Sequence, residues 1–256
     1  MTGIRLVTHQ FRYDTKMFWR NPAAVFFAIA LPLIFLFIFS TVFGNELDPI
    51  RHIRMSSYYV PGIIALGVIS VTFVTLAHAL TSLRERGILK RLRGTPLPTS
   101  VFVSGRVGSS LVIALTLSAV ILTIGHLFYG VDLPGSPLIG LLITIVIGAC
   151  SFCCLGFAIT VIIPNEAAAS PITNAVILPL YFISGVFFRV DTAPEWLTTV
   201  ANFFPVRPFA LALLDGFTPG TAGAGIELGH LAVVAAWGVA GLAVAVLFFR
   251  WTPQGD

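Results

Sequence analysis

Fifteen residues from Arg84 to Pro98, RERGILKRLRGTPLP, carry six charges: Arg84, Glu85, Arg86, Lys90, Arg91 and Arg93. Only 10% of the chain is charged, and this cluster lies between two long apolar runs. No catalytic constellation accompanies it, so the chemistry on offer is recognition. On a helical wheel Ile88, Leu89 and Leu92 fall within about 100° of arc. Arg84 and Arg91 flank that arc, while Arg86, Lys90 and Arg93 lie opposite it. Glu85 falls inside the apolar arc, where it can pair internally or meet a partner. Gly94-Thr95-Pro96 ends the helix, with the glycine available for its C-terminal cap. A solvated basic loop needs no apolar stripe, glycine stop or pair of prolines. The pattern predicts a docking element for a soluble partner, gripped by the stripe.

The other reactive side chains point away from catalysis. Cys150, Cys153 and Cys154 form a tight group inside an apolar run, where small packing residues are expected instead of a metal or redox site. No metal ligands are assigned. His78 lies near the end of an apolar run, which suits helix packing. The chain has no G-x-x-x-x-G-K-[ST], so it holds no nucleotide-phosphate cradle of its own. H-E-x-x-H and G-x-S-x-G are also absent. No nucleic-acid-binding motif appears, and a net charge of +4 is not read as one.

These residues must be positioned by membrane helices. The chain has 256 residues, 57% of them hydrophobic, and a mean hydropathy of +0.95. A water-soluble domain of this length cannot cover so much apolar surface. The expected fold is an all-α integral membrane protein, one domain with six spans. The spans are placed at about 24–43, 58–82, 105–129, 138–163, 171–188 and 229–250, each able to cross a core of roughly 30 Å. Pro32 kinks the first. Gly105, Gly108, Ser109 and Ser110 open the third with small residues that let helices approach closely.

Residues 4 to 20 form an amphipathic helix in the interface. Arg5, His9, Arg12, Lys16 and Arg20 share one face, and Ile4, Val7, Phe11 and Phe18 another, with the rings directed to the acyl boundary. The 189–228 segment holds two apolar pieces too short to span, Trp196 to Phe204 and Phe209 to Leu214. Prolines punctuate it, and it reads as an outer re-entrant hairpin. Eleven Lys and Arg residues fall on the side of the termini and four on the other. The positive-inside rule makes the termini and the 84–98 segment cytoplasmic. The expected location is a bacterial cytoplasmic (inner) membrane.

Polar groups within spans should face protein or a path. Thr72, Thr75, Asn174, Tyr181 and Ser184 are the candidates, with Phe35 and Phe39 as aromatic surface for a hydrophobic cargo, although each residue taken singly suits helix packing better. No ionisable residue sits squarely mid-span, which weakens the alternative of an ion- or proton-coupled six-span transporter.

Two stretches carry a family resemblance. The first is Glu85-x-Gly87, Ile88-Leu89-x-x-Leu92, Thr95-Pro96-Leu97 and Gly105-Arg106. The second is Ser184-Gly185-Val186-Phe187-Phe188, Pro194-Glu195-Trp196-Leu197 and Pro205. Together, in a six-span frame, they resemble the type-2 ABC exporter permeases, which include daunorubicin-resistance-like drug exporters and polysaccharide or lipid exporters. The resemblance implies a type V exporter fold and two permease subunits, alike or related, around a path for an amphipathic drug, lipid or glycolipid. It implies no cofactor in this chain, with ATP and Mg bound by a separate ATPase. That ATPase would be engaged through the interfacial helix and the 84–98 segment. Arg189 and Arg207-Pro208 depart from the family's outer-hairpin pattern. Glu166-Ala167-Ala168 resembles the importer loop, but Ile172 stands where a glycine belongs.

Overall fold

A computed structural model describes residues 3–42, 55–95, 97–131, 138–187, 194–217 and 226–252. Pro96, Arg51, Arg54, Phe188 and Arg189 lie outside the described residues, as does the side chain of Ile4. All described regular structure is helical. Helix α1 spans Gly3–Trp19 and α2 spans Pro22–Val42. Then come α3 (Met55–Ile69), a π-helical segment (Ser70–Thr75) and α4 (Leu76–Glu85), which form one continuous rod. A short α5 (Ile88–Arg93) leads into the long α6 (Thr99–Tyr129). The rest are α7 (Leu138–Ile159), α8 (Glu166–Ser184), α9 (Glu195–Phe203), α10 (Val206–Asp215) and α11 (Leu228–Phe248).

Among the described residues, five rods are long and apolar enough to cross a bilayer, Ser57–Glu85, Thr99–Tyr129, Leu138–Ile159, Glu166–Ser184 and Leu228–Phe248, and the bent pair Glu195–Phe203 and Val206–Asp215 makes a sixth if taken as one span. The expected first span corresponds to α2, an uncharged helix of 21 residues with Pro32 inside it. Four boundaries differ from the sequence reading by four residues or more. α6 begins at Thr99, six residues early, because Pro98 holds an extended N-cap and Val101 and Phe102 are already buried. α8 begins at Glu166 because the Asn165 side chain caps it, accepting from the Ala168 N–H at 2.9 Å. It ends at Ser184, where Gly185 takes the left-handed conformation with φ 87°. α7 stops at Ile159, short of the expected 163, and a turn follows.

Small residues set the helix spacing. α11 lies against α7, and a Cβ on Gly238 would sit 2.9 Å from the Ser151 Cα. A Cβ on Gly156 would sit 2.9 Å from the Thr72 carbonyl oxygen, so α7 rests directly on the π segment. There the Thr75 hydroxyl donates to the Ser70 carbonyl, five residues back, at 3.0 Å. Cys153 packs in a core with Leu80, Phe102 and Phe157, and all three cysteines are free thiols within α7.

The expected hairpin takes shape in α9 and α10, which meet at 91° with Pro205 at the corner. Neither crosses a bilayer alone, being 9 and 10 residues long. α10 is anchored by Phe209, wholly buried, whose ring packs 5.5 Å from that of Phe152. A Cβ on Gly148 would come within 2.1 Å of the Phe209 ring. Gly148→Val therefore forces a rigid ring out of its seat. The expected cost is about 1–3 kcal/mol or more in unfolding experiments on the detergent-purified protein, with Phe209→Ala relieving part of it.

Candidate functional site

The charged segment singled out by sequence lies at the basic end of the bundle, and it is not one helix. α4 stops at Glu85, Gly87 adopts φ 67°, and α5 starts afresh at Ile88. A left-handed residue is a position that glycine fills without a Cβ clash. The wheel drawn across 84–98 is therefore broken at Gly87, and Glu85 shares no arc with the stripe. Leu89 is wholly buried, and Leu92 and Leu97 pack partly against Leu80 and Phe102. Ile88 is half-buried. The stripe seals this chain's own core and is not an exposed grip. Exposed instead are Glu85, Arg86, Lys90, Arg91 and Arg93. Gly94 follows α5 as its cap with an ordinary φ of −79°, and the Thr95 hydroxyl donates to the Leu92 carbonyl at 2.6 Å.

The turn from Arg84 to Arg86 is bolted to the turn between α7 and α8. Arg84, 2% exposed, donates to the carbonyl oxygens of Thr160, at 2.8 Å, and Ile163. These belong to the chain just past α7, where helical carbonyls run out of partners. A guanidinium fork suits two acceptors at once. The Glu85 carboxylate accepts from the backbone N–H of Glu166, the first residue of α8. A carboxylate there also meets the positive end of the helix dipole. Arg86 approaches the Glu166 carboxylate at 3.5 Å, both side chains being exposed. His78 supports the same junction, its Nε2 lying 3.4 Å from the Thr173 hydroxyl. The clamp thus joins α4, α7 and α8.

A second junction holds α1. Gly105 and Gly108 of α6 receive Gln10 and Phe11, and a Cβ on Gly105 would sit 2.6 Å from the Gln10 Cγ. Thr15 and Ser109 share a hydroxyl hydrogen bond of 3.0 Å. Between them Asp14 pairs with Arg106 at 3.4 Å, both buried, and the Gln10 amide donates to Asp14 at 3.0 Å. Burial holds the Asp14 carboxyl above the usual carboxylate range, against the pull of Arg106 and Gln10. Arg5, His9, Arg12, Lys16 and Arg20 are exposed, as the helix pattern requires. Phe11 and Phe18 do not face outward; they pack on α6 and on the main core. Among the described side chains of α1, the exposed large apolar residues are Tyr13, Met17 and Trp19.

Residues 6–218 match the family model described as ABC-2 type transporter. The chain belongs to that family. Inner membrane transport permease YadH of Escherichia coli K12 is 23% identical over 195 residues, covering 76% of this chain and 73% of that one. Daunorubicin resistance ABC transporter permease protein DrrB1 of Streptomyces coeruleorubidus is 24% identical over 219 residues, covering 85% and 76%. Probable multidrug ABC transporter permease YbhR of Escherichia coli K12 is 28% identical over 156 residues, 59% of this chain and 41% of that one.

In this ABC-2 permease the expected path residues are mostly interior. Thr72 is wholly buried, and its hydroxyl donates to the Val68 carbonyl at 2.7 Å. Tyr181 donates to the Leu66 carbonyl at 3.3 Å, and Ser184 to the Tyr181 carbonyl at 2.8 Å. Asn174, half-buried, donates to the Ser170 hydroxyl at 3.2 Å. Phe35 and Phe39 stack at 5.7 Å and join Phe187 and Tyr59. None of these, nor Thr75, lines an apolar groove of about 320 Å³ between α7, α8, α10 and α11. Its walls are apolar, with Phe73, Leu155, Val176, Phe204, Trp237 and Val244 among them. Trp237 holds the hairpin corner, donating to the Phe203 carbonyl at 2.7 Å and stacking on Phe204. Sequence reading missed Asp14 and the clamp partners Thr160, Ile163 and Glu166. The available signal for Asp14 was a single acid in an otherwise basic helix.

Proposed function

We propose that this permease is the membrane subunit of an exporter for an amphipathic drug, lipid or glycolipid, driven by a separate ATPase. The ATPase docks at the basic end, on the exposed charges of 85–93 and the cation face of α1. Both termini lie on the cytoplasmic side, where the positive-inside rule puts them. A second copy or a related permease completes the path. One observation carries the reading: the Glu85 carboxylate meets the first N–H of α8. α8 also supplies Val176, Ile177 and Leu180 to the groove wall. Force applied at the charged turn therefore reaches a wall of the apolar groove through α8, a single helix with Pro171 and Pro179 inside it. The kinship with DrrB1, named for daunorubicin resistance, supports a hydrophobic cargo.

The test uses the permease co-purified with its ATPase in nanodiscs. Charge reversal at Lys90, Arg91 and Arg93 is expected to abolish association. Glu85→Gln is expected to keep association while cutting substrate-stimulated hydrolysis about tenfold, a change of about 1.4 kcal/mol. Association untouched by the reversal, or stimulation untouched by Glu85→Gln, rules out the proposed coupling route. Leu92→Asp is a poor probe of docking, because Leu92 packs inside this chain.

A further inference from the structure

At the opposite end of the bundle, three metal-competent side chains converge where the hairpin meets the last helix. Asp215 is the last residue of α10, Glu227 is the N-cap of α11, and His230 lies in the first turn of α11. Among the described residues, these three offer one ligand atom each, all within 4.8 Å of one another. His230 Nδ1 lies 2.9 Å from Glu227 Oε2 and 3.6 Å from Asp215 Oδ2. The spacing of Glu227 and His230, three apart at a helix start, places both on one face. Asp215 comes to them from another element.

We infer that Asp215, Glu227 and His230 form a zinc-class divalent cation site that pins the hairpin to the last span. Ligands at about 2.0–2.2 Å from a tetrahedral cation stand about 3.3–3.6 Å apart. The two separations from His230, 2.9 and 3.6 Å, bracket that range and the third lies within 4.8 Å, so side-chain movement can bring all three to one ion. The donor set selects the class: one imidazole with two carboxylates suits zinc, whereas magnesium prefers oxygen ligands and retained water. The His230 Nδ1 atom is shut from water, yet no hydrogen bond of good geometry satisfies it. A buried ring nitrogen left this way has the lone pair a cation needs once the proton sits on Nε2. Glu227 is exposed, so a water or a fourth ligand can approach from solvent. The inference is independent of the export reading.

The test strips the full-length detergent-purified protein with chelator and titrates it with zinc or magnesium against a competing zinc indicator. Wild type is expected to bind one zinc per chain with a raised Tm, and magnesium is expected to do neither. Glu227→Gln keeps the side-chain shape, and its Tm without zinc reports that it is folded. Both Glu227→Gln and His230→Ala are expected to lose the zinc and the Tm rise. Zinc uptake that survives in both variants, no uptake by wild type, or equal binding of magnesium overturns the assignment.

Discussion

Arg106→Met is expected to cost about 3–5 kcal/mol of stability, because it strands the Asp14 carboxylate in a buried site without its cation. The loss should depend on pH. Burial already raises the folded-state Asp14 pKa above its ordinary 3.8, while Arg106 pulls it down. A carboxyl whose folded pKa is raised favours folding most at acid pH, and that favour disappears as pH rises through the folded pKa. Without Arg106 the folded pKa climbs further. The deficit of Arg106→Met is therefore expected to be largest near neutral pH and to shrink toward acid. Asp14→Asn combined with Arg106→Met removes the stranded charge and should recover much of the loss. Unfolding midpoints at two pH values read both effects. A deficit equal at both, with no recovery in the double variant, removes Asp14 as its origin.

Arg84→Met should be the other severe change. It uncovers the Thr160 and Ile163 carbonyl oxygens in a place closed to water, at about 1–3 kcal/mol for each acceptor left bare. Arg84→Lys keeps the charge but offers no planar fork for two acceptors, so it is expected to fall between wild type and Arg84→Met. Unfolding of the three proteins in the same detergent gives the order. If Lys behaves as Met does, the fork geometry matters more than the charge. If both match wild type, the carbonyls have found water and the clamp reading is wrong.

Much of the scaffold could be read from apolar run length alone, because a bilayer forces each crossing to be a continuous helix. The hairpin was also legible, since Pro194 and Pro205 break a run that would otherwise look like a seventh crossing. What failed was the assignment of faces. A wheel assumes an unbroken helix, and Gly87 breaks this one, so Leu89 and Leu92 turned out to face the chain's own core. Polar residues in spans were candidates for a path, with helix packing the better-suited role for each taken singly, and Thr72, Tyr181 and Ser184 do donate to carbonyls of their own chain. Periodicity says which residues share a face, but not whether that face meets a neighbour or a cargo. Arg84 and Arg106 show the same limit. Both count toward the basic side by composition, and both are buried structural groups.

The π segment Ser70–Thr75 sets the angular relation between the two halves of the longest-buried rod. One surplus residue in a turn advances everything beyond it by about 100°. Leu76, Leu80 and Arg84 therefore point along a bearing that a uniform helix from Met55 would not give them. The rod behaves as two lever arms keyed together at a fixed offset, with Gly156 of the neighbouring helix resting on the key. Chain length through this turn, as much as side-chain identity, decides whether Arg84 faces α7 at all.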